Sequence, residues 1–403
     1  MRALSLGRLE GDADEITGVD VDSRRIRPGD LFVAVSGGEA FLDDARARGA
    51  AATLVPEDAF AALANLGTTV RDRSDARVVA ITGSVGKTST KDILAALLRP
   101  RLRTVAAPEG FNTEIGLPLT LCRIEPDTEV VVTEMGMRGL GQIRDLARIA
   151  RPHVGVITSI APVHLEALGS LENIARAKAE LLEELPTGAV AILPDDVPKL
   201  EPFVPDGLDV RRFAVPDTEV RDGRTYVRWH DRDVAFDFAA RHQAANAAAA
   251  LTAAEVLGVE PPPGPVEVVF SRWRSQETEL PGGGLLINDA WNANPVAMRA
   301  ALAHLRERAN GRRMVAILGE MAELGSDAPR YHREIGEYAA AADVVLGVGE
   351  LARGYEPDEW VATAAEAVDV ALGLVRPGDA ILVKGSRSVG LEVVAEALTE
   401  ARP

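Results

Sequence analysis

The segment from Val78 to Leu94, VVAITGSVGKTSTKDIL, constrains this chain more than any other. An apolar run of buried-strand length passes through two glycines into Lys87, Thr88 and a helical pattern. Phosphate binding needs that combination: glycines let backbone N–H groups approach phosphate oxygens, a lysine neutralises charge, a threonine hydroxyl can hold Mg2+, and the helix N-terminus adds its dipole. Gly83, Ser84, Gly86, Lys87, Thr88 and Ser89 are therefore candidate contacts to the phosphates of a nucleotide. The loop is shorter than the common P-loop, because Ile81 rather than glycine stands five residues before Gly86.

Around this segment short apolar runs alternate with helical patterns: VVAIT, a helix through Leu98, EVVVTEM, a helix through Ile149, then VGVITSI. That alternation predicts a parallel sheet with helices on both faces. At 403 residues the chain has room for two or three domains. Residues 1–75 form a small opening block with strand-like pieces at Gly18 to Val21 and Leu31 to Val35, ending at the charged stretch RDRSDAR. Residues 76–279 carry the phosphate loop, a β-rich interruption from about Pro198 to Phe238, and the alanine-rich helix RHQAANAAAALTAAEVLG. Residues 280–403 hold a second alternating series, LLINDA, MVAILG, DVVLGVG and DAILVKG, which predicts a Rossmann-like unit.

Lys and Arg number 44 against 61 Asp and Glu, a net charge of -17 that repels polyanions and argues against nucleic acid as a partner. It does not argue against a nucleotide, whose phosphates a helix N-terminus and a few local cations can hold. The single cysteine, Cys122, excludes an intramolecular disulfide and a multi-cysteine metal site. The opening stretch has no apolar core of signal-peptide length and no run of 18 apolar residues follows, so the expected location is the cytoplasm, with no membrane insertion.

Eight ordered blocks resemble the Mur ligase family: DSRRIRPGDLFVAV, ITGSVGKTSTKD, FNTEIGLPLTL, TEMGMRGLGQI, VITSIAPVHLEALGSLENIARAKAELLEELP, NDAWNANPVAMRAAL, LGEMAELG and VKGSR. The resemblance implies an α/β protein of three domains: a small N-terminal α/β domain for a uridine nucleotide, a central P-loop ATPase, and a C-terminal Rossmann-like domain that closes over the nucleotide. It implies an ATP-dependent amide ligase using ATP and Mg2+, which joins D-alanyl-D-alanine to a UDP-linked muramoyl tripeptide through an acyl phosphate. Such chemistry gathers negative charge around a transferring phosphoryl group, so cations and metal ligands must surround Lys87. The chain is expected to act as a monomer.

By the same resemblance Glu134, at the end of EVVVTEM, shares a Mg2+ with Thr88, and His164 contacts a second. Lys178 is carbamylated into a further Mg2+ ligand, with an unmodified lysine that orients phosphate as the rival. Asn246 lies beside adenine, and Arg274 reaches the ATP phosphates, with Arg272 as the alternative. Asp289 and Asn292 contact nucleotide from the C-terminal domain. Substrate contacts fall to Ser23 and Arg24, to Asn112, Thr113 and Glu114, and to Lys384, Ser386 and Arg387. The chain departs from the family in two places: Trp291 replaces a tyrosine, and an aspartate-glycine-histidine element of the opening domain is missing. The second departure leaves open an amide ligase with a different carboxylate acceptor. A nucleotide-dependent switch is a further alternative, although it would not need Glu134, His164 and Lys178 together.

Overall fold

The apolar runs from Val78 onward become neighbours in one parallel sheet. In the computed structural model, which describes residues 6–11 and 13–401, this sheet has six strands. Their order is Asp209–Phe213, Val190–Pro194, Val154–Ile157, Arg77–Thr82, Val130–Glu134 and Thr104–Ala106. Every pairing is parallel. Arg77–Thr82 lies in the middle, with Val79 and Ile81 in one core and Val78 and Ala80 in the other. Burial on both faces is why the run reads as continuously apolar instead of alternating.

Helices Lys87–Leu98 and Ala244–Val256 cover one face, and Gly116–Leu121, Gln142–Ala150 and Leu171–Glu183 cover the other. Ala244–Val256 is apolar over most of its surface because it is largely buried, and its alanines let it lie close against Lys87–Leu98. The β-rich interruption divides in two. Asp209–Phe213 extends the parallel sheet, and Thr218–Arg221, Arg224–Trp229 and Arg232–Phe236 form a separate antiparallel sheet that sends Val227, Val234 and Phe236 into the core.

The C-terminal sheet runs Gln276–Leu280, Gly284–Asp289, Ala380–Lys384, Met314–Gly319, Val344–Val348, Glu359–Val361. The first pair is antiparallel and the rest are parallel. Gln276–Leu280 lies across the position where sequence placed a boundary, yet it belongs to this sheet. Its residues, QETEL, are polar because it pairs along one edge only and none of its side chains is fully buried.

The opening block holds more than its two expected strands. Gly7–Glu10 and Ala52–Pro56 join Asp30–Val33 and Gly18–Asp20 in a four-stranded sheet. A helix, Ala59–Asp72, then packs on Gly116–Leu121, and Leu119 shares a core with Leu31, Leu54 and Leu63. Arg71 adds a hydrogen bond from Nε to the Ala150 carbonyl at 3.1 Å. The opening block is thereby fixed to the sheet that carries the phosphate loop. No helix among the described residues is long and apolar enough to cross a membrane.

The contact with Gly116–Leu121 depends on Gly67, where an added Cβ would lie 2.9 Å from the Cα of Pro118. The obstacle is backbone, which cannot swing aside as a side chain would. Gly67→Ala is expected to lower unfolding stability by about 1–3 kcal/mol, the usual cost of overpacking, measured by urea denaturation. A midpoint equal to that of the native chain would show that this junction is looser than its geometry.

Candidate active site

Strand Arg77–Thr82 ends at the phosphate loop, and helix Lys87–Leu98 starts directly after Gly86. No side chain caps that helix, so its first-turn N–H groups remain for a ligand. Gly86 has φ +88°, and a Cβ there would fall 2.0 Å from Asn246 Oδ1. Asn246 is held in turn by Gln243, whose Oε1 accepts its Nδ2 at 2.6 Å. The ends of neighbouring strands hold the loop rigid. Thr158 Oγ1 donates to the Val85 carbonyl at 2.6 Å, and Val85 N–H donates to Ser159 Oγ at 2.9 Å. Ser84 Oγ is used inside the protein, donating to the Ala161 carbonyl at 3.0 Å and accepting the Ala161 N–H at 2.9 Å.

Glu134 lies beside this loop at the carboxyl end of its strand, almost fully buried. Thr88 Oγ1 donates to its Oε2 at 2.8 Å, and Asn112 Nδ2 donates to its Oε1 at 3.0 Å. Burial pushes the Glu134 carboxyl up, but Lys87, Arg274, the Asn112 hydrogen bond and Lys91 outweigh it and hold the group below the ordinary glutamate range. Lys87 Nζ donates to the Gly83 carbonyl at 2.8 Å. Burial lowers the Lys87 pKa, Glu134 opposes that, and Arg274 adds to it.

Lys178 lies on helix Leu171–Glu183, only 1% exposed. Burial and then Lys87 drive its pKa well below the usual lysine value, against the pull of Glu134 and Glu180. Among the described residues no three His, Cys, Asp or Glu side chains gather as a metal cage. A hydroxyl and a carboxylate oxygen 2.8 Å apart nevertheless suit a small hard cation that takes its other ligands from phosphates and water.

The C-terminal domain closes the cleft from the other side, leaving a cavity of about 1090 Å³. Ser84, Gly86, Lys87, Thr88, Ser89, Asn112, Thr113, Glu114, Glu134, His164 and Asn246 line it from the central part. Asp289, Asn292, Lys384, Ser386 and Arg387 line it from the C-terminal part. Of the two arginine alternatives, Arg274 lines the cleft and Arg272 is exposed elsewhere. The buried Nε of Arg274 has no hydrogen-bond partner, which suits an anionic ligand. Its guanidinium stands 5.5 Å from the Trp291 ring, and that of Arg387 stands 4.8 Å from Trp273.

Some expected contacts are occupied by the protein itself. Lys384 Nζ pairs with Asp289 Oδ2 at 2.5 Å and donates to the Asn292 carbonyl at 2.8 Å, so the two charges neutralise one another. Ser386 Oγ accepts the Ala322 N–H at 2.9 Å. Arg387 pairs with Glu392 at 2.6 Å. Ser23 and Arg24 do not line the cleft. Ser23 is buried, and Arg24 makes a bidentate contact with Asp22, from Nε to Oδ1 at 2.9 Å and from Nη2 to Oδ2 at 2.8 Å.

This geometry matches known proteins along almost the whole chain. The model of the Mur ligase middle domain matches residues 81–254, and that of the Mur ligase glutamate ligase domain matches residues 271–387. The UDP-N-acetylmuramoyl-tripeptide–D-alanyl-D-alanine ligase of Mycobacterium tuberculosis is 34% identical, with 95% of this chain and 92% of the relative covered. The chain belongs to the Mur ligase family. The corresponding ligase of Escherichia coli is 32% identical, covering 98% of this chain and 96% of its own. Among solved structures, MurF from Acinetobacter baumannii has a TM-score of 0.84 at 26% identity, covering 98% of this chain and 96% of its own. MurF from Thermotoga maritima in complex with ADP has a TM-score of 0.82 at 27% identity, covering 96% and 99%. These likenesses bear out the family resemblance and the α/β fold with its parallel central sheet.

Two residues of this Mur ligase cleft went unassigned in the sequence. His242, just before the alanine-rich helix, is half-buried with Nε2 3.1 Å from Ser275 Oγ. Burial, with His304 beside it, takes its pKa down to about 3, so it stays neutral at working pH. Glu323, from the block LGEMAELG, pairs with His164 Nδ1 across the domain boundary. Burial lowers the His164 pKa, Glu323 opposes this, and Lys178 and Lys87 add to it. His242 carries no local signal, and the block LGEMAELG was read as resemblance without a role for Glu323, because each residue gains its meaning from a partner far along the chain.

The loop geometry yields a direct test at Gly86. Alanine there would be held left-handed at a cost of about 1–2 kcal/mol and would displace Asn246. Gly86→Ala should therefore weaken binding of a nucleoside triphosphate analogue at least about tenfold, read by calorimetry, with an unchanged circular dichroism spectrum. Undiminished affinity in a folded variant would detach the loop from phosphate binding.

Proposed function

We propose that this Mur ligase adds D-alanyl-D-alanine to the terminal carboxyl of UDP-N-acetylmuramoyl-tripeptide, with ATP cleaved to ADP and phosphate. The observation that carries the reading is the buried Glu134–Thr88 pair beside Lys87 at the phosphate loop, in a chain about one-third identical to ligases named for this reaction. An acceptor carboxylate is a poor acyl donor until phosphorylated. Its oxygen attacks the γ-phosphorus, the bond to ADP breaks, and an acyl phosphate forms. The amine nitrogen then attacks the acyl carbon, the carbon–oxygen bond to phosphate breaks, and a proton leaves the nitrogen.

In this reading Lys87 and Arg274 neutralise charge on the transferring phosphoryl group, where preorganised cations act most strongly. Glu134 and Thr88 would hold a Mg2+, which would supply Lewis-acid neutralisation of the phosphate oxygens. His164 would contact a second, and Asn246 would lie beside the adenine. A lysine forced towards its neutral form is the form that takes up CO2, so the depressed Lys178 supports a carbamate there. The resulting carboxylate would offset the positive charge of Lys87 and give Mg2+ a further hard oxygen.

The opening residues, 1–75, would take the UDP moiety and the C-terminal domain the dipeptide. In this reading the enzyme works as a monomer in the cytoplasm, where ATP is supplied. The missing aspartate-glycine-histidine element and the self-paired Arg24 favour one second reading, the same chemistry on a different carboxylate acceptor. Phosphate release from ATP with UDP-N-acetylmuramoyl-tripeptide should require D-alanyl-D-alanine and yield the pentapeptide. Release with some other acyl acceptor and none with this one would select the second reading.

Lys178→Ala should lose at least about 10²-fold in turnover, with partial recovery in acetate, an anion able to fill the vacated place. Native protein under ¹³C-labelled CO2 should show a carbamate resonance that disappears in the variant. Rescue by a small amine in place of acetate, with no such resonance, would mark Lys178 as an ordinary cation.

A further inference from the structure

The loop after strand Met314–Gly319 crosses the domain boundary and touches the central domain at three places. Glu323 pairs with His164 Nδ1, its Oε1 lies 3.5 Å from Arg138 Nε, and its carbonyl accepts the Glu166 N–H at 3.3 Å. Gly325 follows so closely that an added Cβ would be 3.2 Å from the Cα of Glu166. Glu323 and His164 both hold left-handed backbones, with φ +61° and +53°. Such conformations persist in non-glycine residues only where surrounding contacts impose them, and here each loop imposes the other's.

An imidazole nitrogen facing a carboxylate must carry the hydrogen. In neutral histidine the other nitrogen is then a bare acceptor. We propose that Glu323 is a positioning residue, which the C-terminal domain brings to His164 on closure to fix the Nδ1–H tautomer and leave the Nε2 lone pair free in the cleft. Closure of the C-terminal domain is thereby coupled to the state of a side chain in the central site. A carboxylate behind a histidine commonly has this effect on ligands of metals and phosphates. The inference rests on the cleft being the place of ATP-driven ligation, and it assigns to Glu323 no contact with substrate.

The test uses full-length protein labelled with [¹⁵N]histidine and bound to a non-hydrolysable ATP analogue, with the His164 signals assigned by their loss in His164→Asn. The native protein should show a protonated Nδ1 and a bare Nε2. Glu323→Ala should shift the ring to the other tautomer or a mixture, while Glu323→Gln, which keeps an acceptor oxygen, should retain the native one. Turnover should fall about 10- to 100-fold in the alanine variant, with the KM for ATP within about twofold of native and with recovery in the glutamine variant. An unchanged tautomer in Glu323→Ala, or full turnover by it, would overturn the proposal. The tautomer is read without any acceptor, so an error in the acceptor's identity would leave this result intact.

Discussion

Glu134 is a carboxylate taken out of water and kept charged by its surroundings. Isolated burial would neutralise it, since an unpaired buried charge is costly. Lys87, Arg274 and Lys91 supply positive potential, and Thr88 and Asn112 supply hydrogen bonds to both oxygens. These groups come from the phosphate loop, its helix, the segment after Gly110 and the crossing into the C-terminal domain. Such convergence is possible because parallel strands all end on one side, where loops distant in sequence meet.

The same arrangement explains how an acidic chain can bind a polyanionic nucleotide. Net charge acts through water and salt, whereas the cleft presents a few buried cations and uncapped helix N–H groups at short range. Lys87 and Lys178 repel one another, and burial lowers both pKa values. Their mutual repulsion and burial both favour the uncharged amine, most of all at Lys178, so the site avoids an uncompensated pair of buried cations. Lys384 serves a different end, since its pairing with Asp289 and the Asn292 carbonyl joins the ends of two adjacent strands and shapes the C-terminal wall.

The phosphate loop and the central strands were legible from local patterns, a glycine pair and apolar runs, whereas Glu134 and His164 were singled out through the family resemblance before the fold brought both to the cleft. Gln276–Leu280 was not, because a one-sided edge strand of polar residues lacks an apolar period. Helix Ala59–Asp72 went unread because its buried face is shared between the opening sheet and Gly116–Leu121, a partner about fifty residues away in sequence. Glu323 and His242 share that difficulty, and only folding shows which far residue each faces. The tie between Lys384 and Asp289 is of the same kind, for a strand-end lysine and a strand-end aspartate each read as free to meet a ligand.

The central claim is that the acceptor carboxylate attacks phosphorus, and oxygen tracing tests it most directly. UDP-N-acetylmuramoyl-tripeptide carrying ¹⁸O in its terminal carboxyl would be turned over with ATP and D-alanyl-D-alanine, and the released inorganic phosphate analysed by mass spectrometry. The account predicts one ¹⁸O in each phosphate released, because the carbon–oxygen bond breaks only after that oxygen has become part of the acyl phosphate. Phosphate free of the label, with ¹⁸O found in AMP or water, would contradict it.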